Sequence, residues 1–289
     1  MPRISLCSTN YNTYPITRRS LESVLASIDG LDCEVVVVDN FSDDGSYEAL
    51  MSHPKSVPIL LERRRCSRGM GRQRAYQMSR GDYIVTFDLD TIYNDRWARL
   101  LRWVIANEIP FGLSAVFSQF YPRPALRQVG GWRDFQYWED VDLWVRLAAR
   151  GLYRTYPVVC GDNLKRLIAG NALSKWARLY ARYRDKIAIA DWIPFRLYWE
   201  AYLALLRNPR NLYYLSIFFP GYLAGRYKRS RLCTDPYDPS VLLSPSLPID
   251  CGLVRNEELI LATSPYDTTL GCREALARGD FGFLPGTYD

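Results

Sequence analysis

Two carboxylates, Asp88 and Asp90, follow an apolar run, Tyr83–Phe87, in the order Asp88-Leu89-Asp90. Residues two apart in an extended segment point to the same side. Carboxylate oxygens are the ligands that Mg²⁺ and Mn²⁺ prefer, and open α/β sheets bind ligands at the carboxyl ends of their strands. The pattern therefore predicts a Mn²⁺ or Mg²⁺ site beside a bound diphosphate, although an isolated Asp-x-Asp is more often a surface turn.

A further carboxylate at a strand end is Asp39, which is followed by Asn40. An acid in this position can accept hydrogen bonds from a nucleotide base or ribose. The alternative is that Asp39 caps the next helix. Because Ser42, Asp43 and Ser46 are better cap candidates, we expect Asp39 to contact a ligand.

The segment Cys66–Arg74 is rich in glycine and arginine. Glycine lets the backbone approach a ligand closely, and arginine can meet phosphate oxygens. A solvated basic loop would have the same composition. Its position just before the Asp88–Asp90 pair favours a role in phosphate binding.

The fourth motif begins with the Gly130-Gly131 pair, which predicts a turn. Trp132 follows and is expected to form an apolar wall of the site. Glu139-Asp140 then opens a helix whose Leu143 and Leu147 should face the core. Acids in a first turn are favoured by the helix dipole, so capping would explain them. A carboxylate that faces an acceptor hydroxyl could instead act as a general base.

The elements that position these residues follow an alternating pattern. Short β-branched runs alternate with helical periodicity over residues 1–165, which predicts an α/β domain with a mixed, mostly parallel sheet flanked by helices. We predict a helix at Arg18–Ile28 and four strands, at Ile4–Ser8, Glu34–Val38, Pro58–Glu62 and Tyr83–Phe87.

Residues 166–232 differ from the first domain, because aromatic residues and arginines interleave on amphipathic faces from Ser174 onward. Asn211–Gly225 is an uncharged stretch of 15 residues that contains Pro220, which is short of the about 20 residues of a simple membrane span. Interfacial or hairpin insertion fits better. We expect a membrane-associated helical region, with a soluble helical subdomain or a dimer interface as the alternative.

The remaining residues, 233–289, are rich in Pro, Asp, Ser and Gly. One helix is predicted there, at Thr269–Arg278, before Gly279. This extension is expected to serve as a packing segment or a lid.

Composition narrows the classes of partner. Lys and Arg number 37 against 31 acids, giving a net charge of +6, and only five of the bases are Lys. An arginine-rich surface suits a phosphorylated ligand or an anionic membrane, although genome composition alone can produce the same bias. No recognition helix or RNA-binding signature is present, so nucleic acid is not an expected partner.

Seven scattered cysteines, none in a Cys-x-x-Cys pair, and the single His53 disfavour a structural zinc site. Such cysteines indicate a reduced, cytosolic protein. The N-terminus shows no apolar signal segment.

Taken in order, these motifs resemble those of family 2 glycosyltransferases with the GT-A fold, over about residues 3–155. The matching segments are Ile4–Asn12 with its Tyr-Asn ending, the nucleotide segment Val35–Ser46, Gly71–Ala75 with Gln73 in place of Asn, the metal motif Asp88–Asp90, and the acceptor segment Gly130–Gly151. Several motifs in the right order are much more specific than any one of them.

The resemblance implies a role for each matching residue. The implied donor-binding residues are Thr9, Asn12, Asp39, Arg72 and Asp88, the metal ligands are Asp88 and Asp90, the acceptor-binding residues are Trp132 and Glu139, and the catalytic base is Asp140. Related enzymes often add a late His ligand to the metal, and this chain has none. The cation would then rely on the Asp pair, the diphosphate and water.

The resemblance also implies the reaction, a single inverting displacement in which an acceptor hydroxyl attacks the anomeric carbon and a nucleoside diphosphate leaves. We expect a GDP- or UDP-sugar donor, with GDP-mannose favoured. The C-terminal helices suggest a lipid-linked glycan acceptor and a place on the cytoplasmic face of the cell membrane, in a reduced cellulose-synthase-like arrangement.

Two alternatives stay open. One is a catalytically silent sugar-nucleotide-binding or membrane scaffold protein with the same fold. The other is a nucleotidyltransferase, which is disfavoured because Ser8–Asn12 is not a Gly-rich phosphate loop.

Overall fold

A computed structural model describes residues 3–53, 57–164, 175–189, 203 and 212–232. The strands are β1 (Ile4–Asn10), β2 (Cys33–Asp39), β3 (Ile59–Arg63), β4 (Tyr83–Phe87), β5 (Thr91–Tyr93), β6 (Gly112–Val116), β7 (Ser118–Pro122), β8 (Tyr153–Val159) and β9 (Gly161–Asn163). The helices are α1 (Thr17–Ser27), α2 (Ser46–Met51), α3 (Arg68–Met78), α4 (Asp95–Ala106), α5 (Arg123–Val129), α6 (Glu139–Ala148), α7 (Lys175–Ala188) and α8 (Leu212–Leu232).

Seven of the strands form one mixed sheet in the order β3-β2-β1-β4-β7-β6-β8. β1 pairs in parallel with β2 and β4, and β2 in parallel with β3, whereas β7 is antiparallel to both of its neighbours. The mostly parallel α/β sheet predicted from the sequence is confirmed. The early helix and four strands lie within one or two residues of their predicted bounds.

Helices cover both faces of this sheet, because alternate residues of each central strand point to opposite layers. In β2, Val35 and Val37 belong to the core cluster formed with α1 and α4, whereas Val36 and Val38 belong to the cluster formed with α3, α5 and α6. A strand that is buried on both faces has a continuous apolar run rather than an alternating one. This explains the Val35–Val38 sequence.

The parallel pairing places the polar strand ends at one edge of the sheet. Asn10 at the end of β1 pairs with Asp39 at the end of β2. β4 runs in the same direction beside β1 and ends next to Asp88. α3 connects the parallel strands β3 and β4, so its first turn lies at this edge as well.

β5, which follows β4 in the chain, forms a separate two-stranded sheet with β9. In this sheet Thr91 pairs with Asn163. This pairing brings a late segment of the chain next to the Asp88–Asp90 turn.

α7 and α8 form a closely packed pair. The ring of Phe218 packs edge-on against that of Tyr183, and a Cβ atom on Gly225 would lie 2.5 Å from the Cβ of Ile187. The later residue of α7, Ile187, contacts the later residue of α8, Gly225, so the two helices run in the same direction. Gly221 and Gly225, one turn apart on α8, provide the space for this approach.

The helix predicted from Ser174 onward is confirmed as α7, whose Leu179 and Tyr183 pack against α8. The uncharged stretch lies mostly in α8, which continues through Pro220 and so does not turn back as a hairpin there. Within the described part of the chain, no helix is both long and apolar enough to cross a membrane. The extension 233–289, with its predicted helix Thr269–Arg278, lies outside the described residues.

Candidate active site

Asp88 lies directly after β4, and both its backbone N–H and its carbonyl are hydrogen-bonded. Its N–H donates to Tyr93 Oη at 2.8 Å, and that hydroxyl donates to Phe117 O at 2.9 Å. Its carbonyl accepts a hydrogen bond from Ser20 Oγ at 3.1 Å. The side chain is 41% exposed, so a fixed backbone presents the carboxylate to solvent.

Asp90 lies in the turn after Asp88, next to β9. Its Oδ1 accepts hydrogen bonds from Asn163 Nδ2 at 2.9 Å and from Thr91 Oγ1 at 3.3 Å. Its carbonyl accepts from Leu164 N at 2.8 Å. The late segment of the chain therefore orients the second carboxylate of the pair.

These two carboxylates suit a hard divalent cation by the chemistry of their oxygens. Among the described residues, no group of three or more His, Cys, Asp or Glu side chains is placed to hold a metal ion. Two protein carboxylates leave the other coordination positions to diphosphate oxygens and water, as Mg²⁺ sites commonly do. The residues present fit a cation that is bound together with its nucleotide.

Arg72 is buried and lies between these acids and those of α6. Its Nη2 is 3.3 Å from Asp88 Oδ1 and 3.8 Å from Glu139 Oε1. Its Nη1 donates a hydrogen bond to Asp140 Oδ1. Burial disfavours the charged guanidinium, but the attraction of the three carboxylates outweighs it and raises the pKa of Arg72 above its ordinary value.

Glu139 is the most enclosed of the three acids around Arg72. Its side chain is buried, with Arg68 Nη1 3.7 Å from the same Oε1 that faces Arg72. Burial raises the pKa of Glu139 to about 7, against the opposing attraction of Arg68 and Arg72. Burial therefore favours the protonated form of this carboxyl, whereas the two arginines favour its charged form.

Asp140 lies in the first turn of α6, as predicted. Two donors, Arg72 Nη1 and Trp132 Nε1, reach its Oδ1, the latter at 3.1 Å. No other side-chain hydrogen bond to this carboxylate is found among the residues that the structure describes, so Oδ2 is the oxygen that can take a proton.

Trp132 is part of the core rather than an open wall. It is only 3% exposed and packs edge-on against Tyr121. Its backbone N–H donates to Gln73 Oε1 at 2.8 Å. Trp132 thus contributes its indole N–H to Asp140, and its acceptor-binding role stays a prediction.

A buried ion pair fixes the turn before α6. Arg146 forms a 2.6 Å contact to Asp142 Oδ2 and donates to the carbonyl oxygens of Val129 and Gly131. Leu143 and Leu147 are fully buried, as the periodicity predicted. The Asp-Leu-x-x-Arg-Leu pattern therefore serves to hold the Gly130–Gly131 turn against α6.

Asp39 is fully buried at the end of β2. It accepts hydrogen bonds from Asn10 Nδ2 at 2.7 Å and from Ser42 Oγ at 2.6 Å, and Arg63 Nε lies 3.3 Å away. The prediction that Ser42, Asp43 or Ser46 caps α2 is wrong, since the cap is Gly45 with a left-handed backbone (φ 93°). Ser42 binds Asp39 instead, and donor binding by Asp39 stays a prediction.

Thr9 and Asn12 lie at the same sheet edge. The methyl group of Thr9 occupies the space beside Gly71, where an added Cβ would be 2.6 Å away. Asn12 has a left-handed backbone (φ 49°), and its Nδ2 donates to Asp43 Oδ1 at 2.8 Å. The structure therefore brings Thr9, Asn12 and Asp39 together, while their contact with a donor stays a prediction.

The Cys66–Arg74 segment is not a loop, because α3 begins at Arg68 with Ser67 as its N-cap. Gly69 N donates to Phe135 O at 2.8 Å, and a Cβ on Gly69 would lie 2.1 Å from Arg133 O. Its glycines therefore allow close packing against protein rather than against a phosphate. Of its arginines, Arg74 pairs with Glu62 at 2.8 Å, away from the acids described above.

Sequence reasoning missed Tyr93, Asn163 and the pairing of Arg68 with Glu139. Tyr93 and Asn163 have ordinary sequence surroundings, and only the pairing of β5 with β9 brings Asn163 to Asp90. Arg68 belongs to the Cys66–Arg74 segment, for which the sequence predicted phosphate binding. Its acidic partner lies far along the chain, so local spacing could not identify it.

The comparisons with known proteins agree with this architecture. The family model "Glycosyl transferase family 2" matches residues 5–120, less than half of the chain. No curated protein sequence matches the chain significantly.

Among solved structures, a mannosyltransferase from Pyrobaculum calidifontis in complex with GDP-Man and Mn²⁺ is similar, with a TM-score of 0.51 and 19% identity, covering 98% of this chain and 83% of its own. Staphylococcus aureus TarS residues 1–349 give 0.47 and 13%, covering 82% and 95%. A glucosyl-3-phosphoglycerate synthase from Mycobacterium tuberculosis gives 0.48 and 15%, covering 65% and 78%. The first likeness shows the fold, and with the family match it supports a GT-A-like family 2 glycosyltransferase domain.

Proposed function

We propose that this chain is an inverting glycosyltransferase that moves a sugar from a nucleoside diphosphate sugar to an acceptor hydroxyl in one displacement. The observation that carries the proposal is the contact of one buried guanidinium, that of Arg72, with both Asp88 at the end of β4 and Asp140 at the start of α6. The proposed metal ligand Asp88 and the proposed base Asp140 thus contact the same guanidinium.

Asp140 Oδ2 takes the proton of the acceptor hydroxyl while Arg72 and Trp132 hold Oδ1 in place. Arg72 lies beside Asp88, so its positive charge also opposes the negative charge that develops on the leaving diphosphate. Asp88 and Asp90 would hold a Mn²⁺ or Mg²⁺, which would supply further charge neutralisation there. No covalent enzyme intermediate is required.

The proposed donor is GDP-mannose, with UDP-sugars as the next to test. The test is thermal unfolding with GDP, UDP and their sugars, each with Mn²⁺ and with chelator. A ligand at 100 times its dissociation constant adds about 2.7 kcal/mol to stability. Stabilisation that requires both the nucleotide and Mn²⁺ is the expected result. Its absence with every nucleotide would overturn the proposal.

The proposed acceptor is a lipid-linked glycan at the cytoplasmic face of the cell membrane. Support comes from three exposed apolar side chains at intervals of four along α8, Phe219, Leu223 and Tyr227, which are 59%, 57% and 60% exposed. Arg226 and Arg231 lie on the same helix, which suits an anionic surface.

Flotation with phosphatidylglycerol-containing vesicles tests this surface. Phe219→Ser, Leu223→Ser and Tyr227→Ser together should abolish flotation, while Met51→Ser, at an exposed position on α2, should leave it unchanged. A wild-type protein that stays with the soluble fraction at low salt would rule out the membrane component but not the transferase.

A silent sugar-nucleotide-binding protein is the second candidate, because the proposed base Asp140 is already ion-paired with Arg72. Donor hydrolysis separates the two candidates. Mn²⁺-dependent nucleotide binding without release of sugar, to water or to any acceptor, would favour the binding protein.

A further inference from the structure

Asp185 is a fully buried carboxylate on α7 that hydrogen-bonds to the backbone of a distant segment. Its Oδ2 accepts from the backbone N–H groups of Gln136 at 2.6 Å and Tyr137 at 3.0 Å. Its Oδ1 pairs with Arg184 Nε at 2.7 Å and Lys228 Nζ at 3.2 Å. Because a buried charge is costly unless it is fully paired, these contacts specify one arrangement of α7, α8 and the segment.

The segment in question, Phe135–Trp138, contacts the α7–α8 pair through its side chains as well. Phe135 packs with Ile187, Ala188 and Ile189, and Lys228 Nζ lies 4.7 Å from the centre of its ring. The ring of Tyr137 faces Arg182, and that of Trp138 faces Lys186. The segment is therefore held along its whole length by helices that follow it in the chain.

The same segment leads directly into the proposed catalytic helix. Trp138, with a left-handed backbone (φ 67°), is the last residue before α6, which begins at Glu139 and Asp140. On its other side, Phe135 O accepts from Gly69 N in the first turn of α3, the helix that carries Arg72. The segment is thus fixed between Asp185 and the helix of the buried guanidinium.

We infer that Asp185 is a positioning residue, which makes the α7–α8 pair a working part of the transfer site by holding the start of α6. This inference rests on the proposed function, since its consequence for turnover requires Asp140 to act as the base. A displacement of about 1 Å in a catalytic group can cost about 10²-fold in rate. Loss of the Asp185 contacts should therefore lower kcat and leave donor binding unchanged.

The alternative is that Asp185 only attaches the helix pair to the first domain. In that case its loss lowers the melting temperature but not kcat at temperatures well below unfolding. Three variants of the full chain separate the roles. Asp185→Ala removes all contacts, Asp185→Asn keeps an acceptor for the backbone without the charge, and Lys228→Met removes only a cation. Glu22→Gln, at an exposed carboxylate on α1, is the matched control.

Two measurements are made on each variant. Hydrogen exchange reports the Gln136 and Tyr137 amides without any substrate, and steady-state transfer with a Mn²⁺-nucleotide titration gives kcat, KM and the donor Kd. For Asp185→Ala we expect faster exchange at these two amides, kcat lower by about 10- to 100-fold and a donor Kd within twofold of wild type. Asp185→Asn and Lys228→Met should be intermediate, since each removes only part of the pairing, and Glu22→Gln should be close to wild type.

A folded Asp185→Ala protein with wild-type kcat, or one whose donor affinity falls together with kcat, would overturn the inference. If that variant does not fold, the same criteria apply to Asp185→Asn. A wild-type protein without nucleotide binding or transfer would instead refute the proposed function, and unchanged exchange at Gln136 and Tyr137 would still refute the contact itself.

Discussion

Arg72 Nη2 lies 3.3 Å from Asp88 Oδ1, and the same guanidinium donates a hydrogen bond to Asp140 through Nη1. These two acids belong to different parts of the fold, the end of β4 and the first turn of α6. The planar guanidinium offers several donors in a fixed geometry, so a single residue can hold both. The position of the proposed base is thereby tied to that of the Asp88–Asp90 turn.

Arg72→Met should destabilise the chain at pH 7 by about 3 kcal/mol, because it removes the cation beside the buried Glu139 and the partly buried Asp140. Arg72→Lys should lose less stability, since it keeps the charge, but it cannot reach Asp88 and Asp140 with the same geometry. Urea denaturation measures the first effect and transfer kinetics the second. Stability equal to wild type in Arg72→Met would show that the cluster is not held by this residue.

Asp140→Asn should lower kcat by about 10²- to 10⁴-fold, as expected for loss of a general base. The Asn side chain can still accept hydrogen bonds from Arg72 and Trp132 through its oxygen, so donor binding should change little. Single-turnover transfer and a Mn²⁺-nucleotide titration measure the two quantities. Normal turnover in this variant would remove Asp140 from the mechanism.

The sequence predicted the elements of the first domain well because their signals are local. The four apolar runs and the helical spacing of Leu21, Val24 and Ile28 depend only on neighbouring residues, and the strands and α1 form where these signals predict them. The signal for the start of α6 at Glu139 is also local, since acidic side chains are favoured in the first turn of a helix.

What could not be predicted depends on contacts between distant residues. The glycines of α3 suggested a ligand, but they make room for Arg133 and Thr9, which no spacing rule reveals. Asp39 was expected to be available to a ligand, whereas Asn10, Ser42 and Arg63 surround it once β1, β2 and β3 pair. Polar residues at strand ends thus predict which edge of the sheet carries a candidate site. They do not predict which of these residues stays exposed.

Asp90→Asn should remove the Mn²⁺-dependent part of nucleotide binding. The variant can keep the hydrogen bond from Asn163 through its side-chain oxygen, so the turn should be preserved while one negative charge is lost. Nucleotide titration with Mn²⁺ and with chelator measures the difference, which should be large in wild type and small in the variant. An equal response to chelator in both proteins would exclude Asp90 as a ligand.

Gly69→Ala should destabilise the chain even though Ala is intrinsically better than Gly within a helix by about 1 kcal/mol. The added Cβ would lie 2.1 Å from the carbonyl oxygen of Arg133 and 3.1 Å from Phe135 N. Because these are backbone atoms, no side-chain rotation can relieve the clash, so α3 must move away from the Arg133–Phe135 segment. Thermal unfolding measures the effect, and an increase in melting temperature would contradict the packing described here.

Glu139→Gln should change the pH dependence of stability, because burial raises the pKa of this carboxyl from its ordinary value of 4.5 to about 7. A raised carboxyl pKa means that the folded chain binds this proton more tightly than the unfolded chain. The resulting stability is complete below about 4.5 and is lost as the pH rises through about 7. Wild type should therefore lose stability relative to the variant across this interval, by one to a few kcal/mol at about 1.4 kcal/mol per pKa unit.

Urea denaturation of both proteins at pH 4.5, 6 and 8 gives this difference, with Glu22→Gln as the control for replacing an exposed carboxylate. The ion pairs of Glu139 with Arg68 and Arg72 act in the opposite direction, since they favour the charged form. If they outweighed burial, wild type would gain stability over the variant as the pH rises. The sign of the slope therefore decides whether burial or the two arginines controls the charge beside the proposed base.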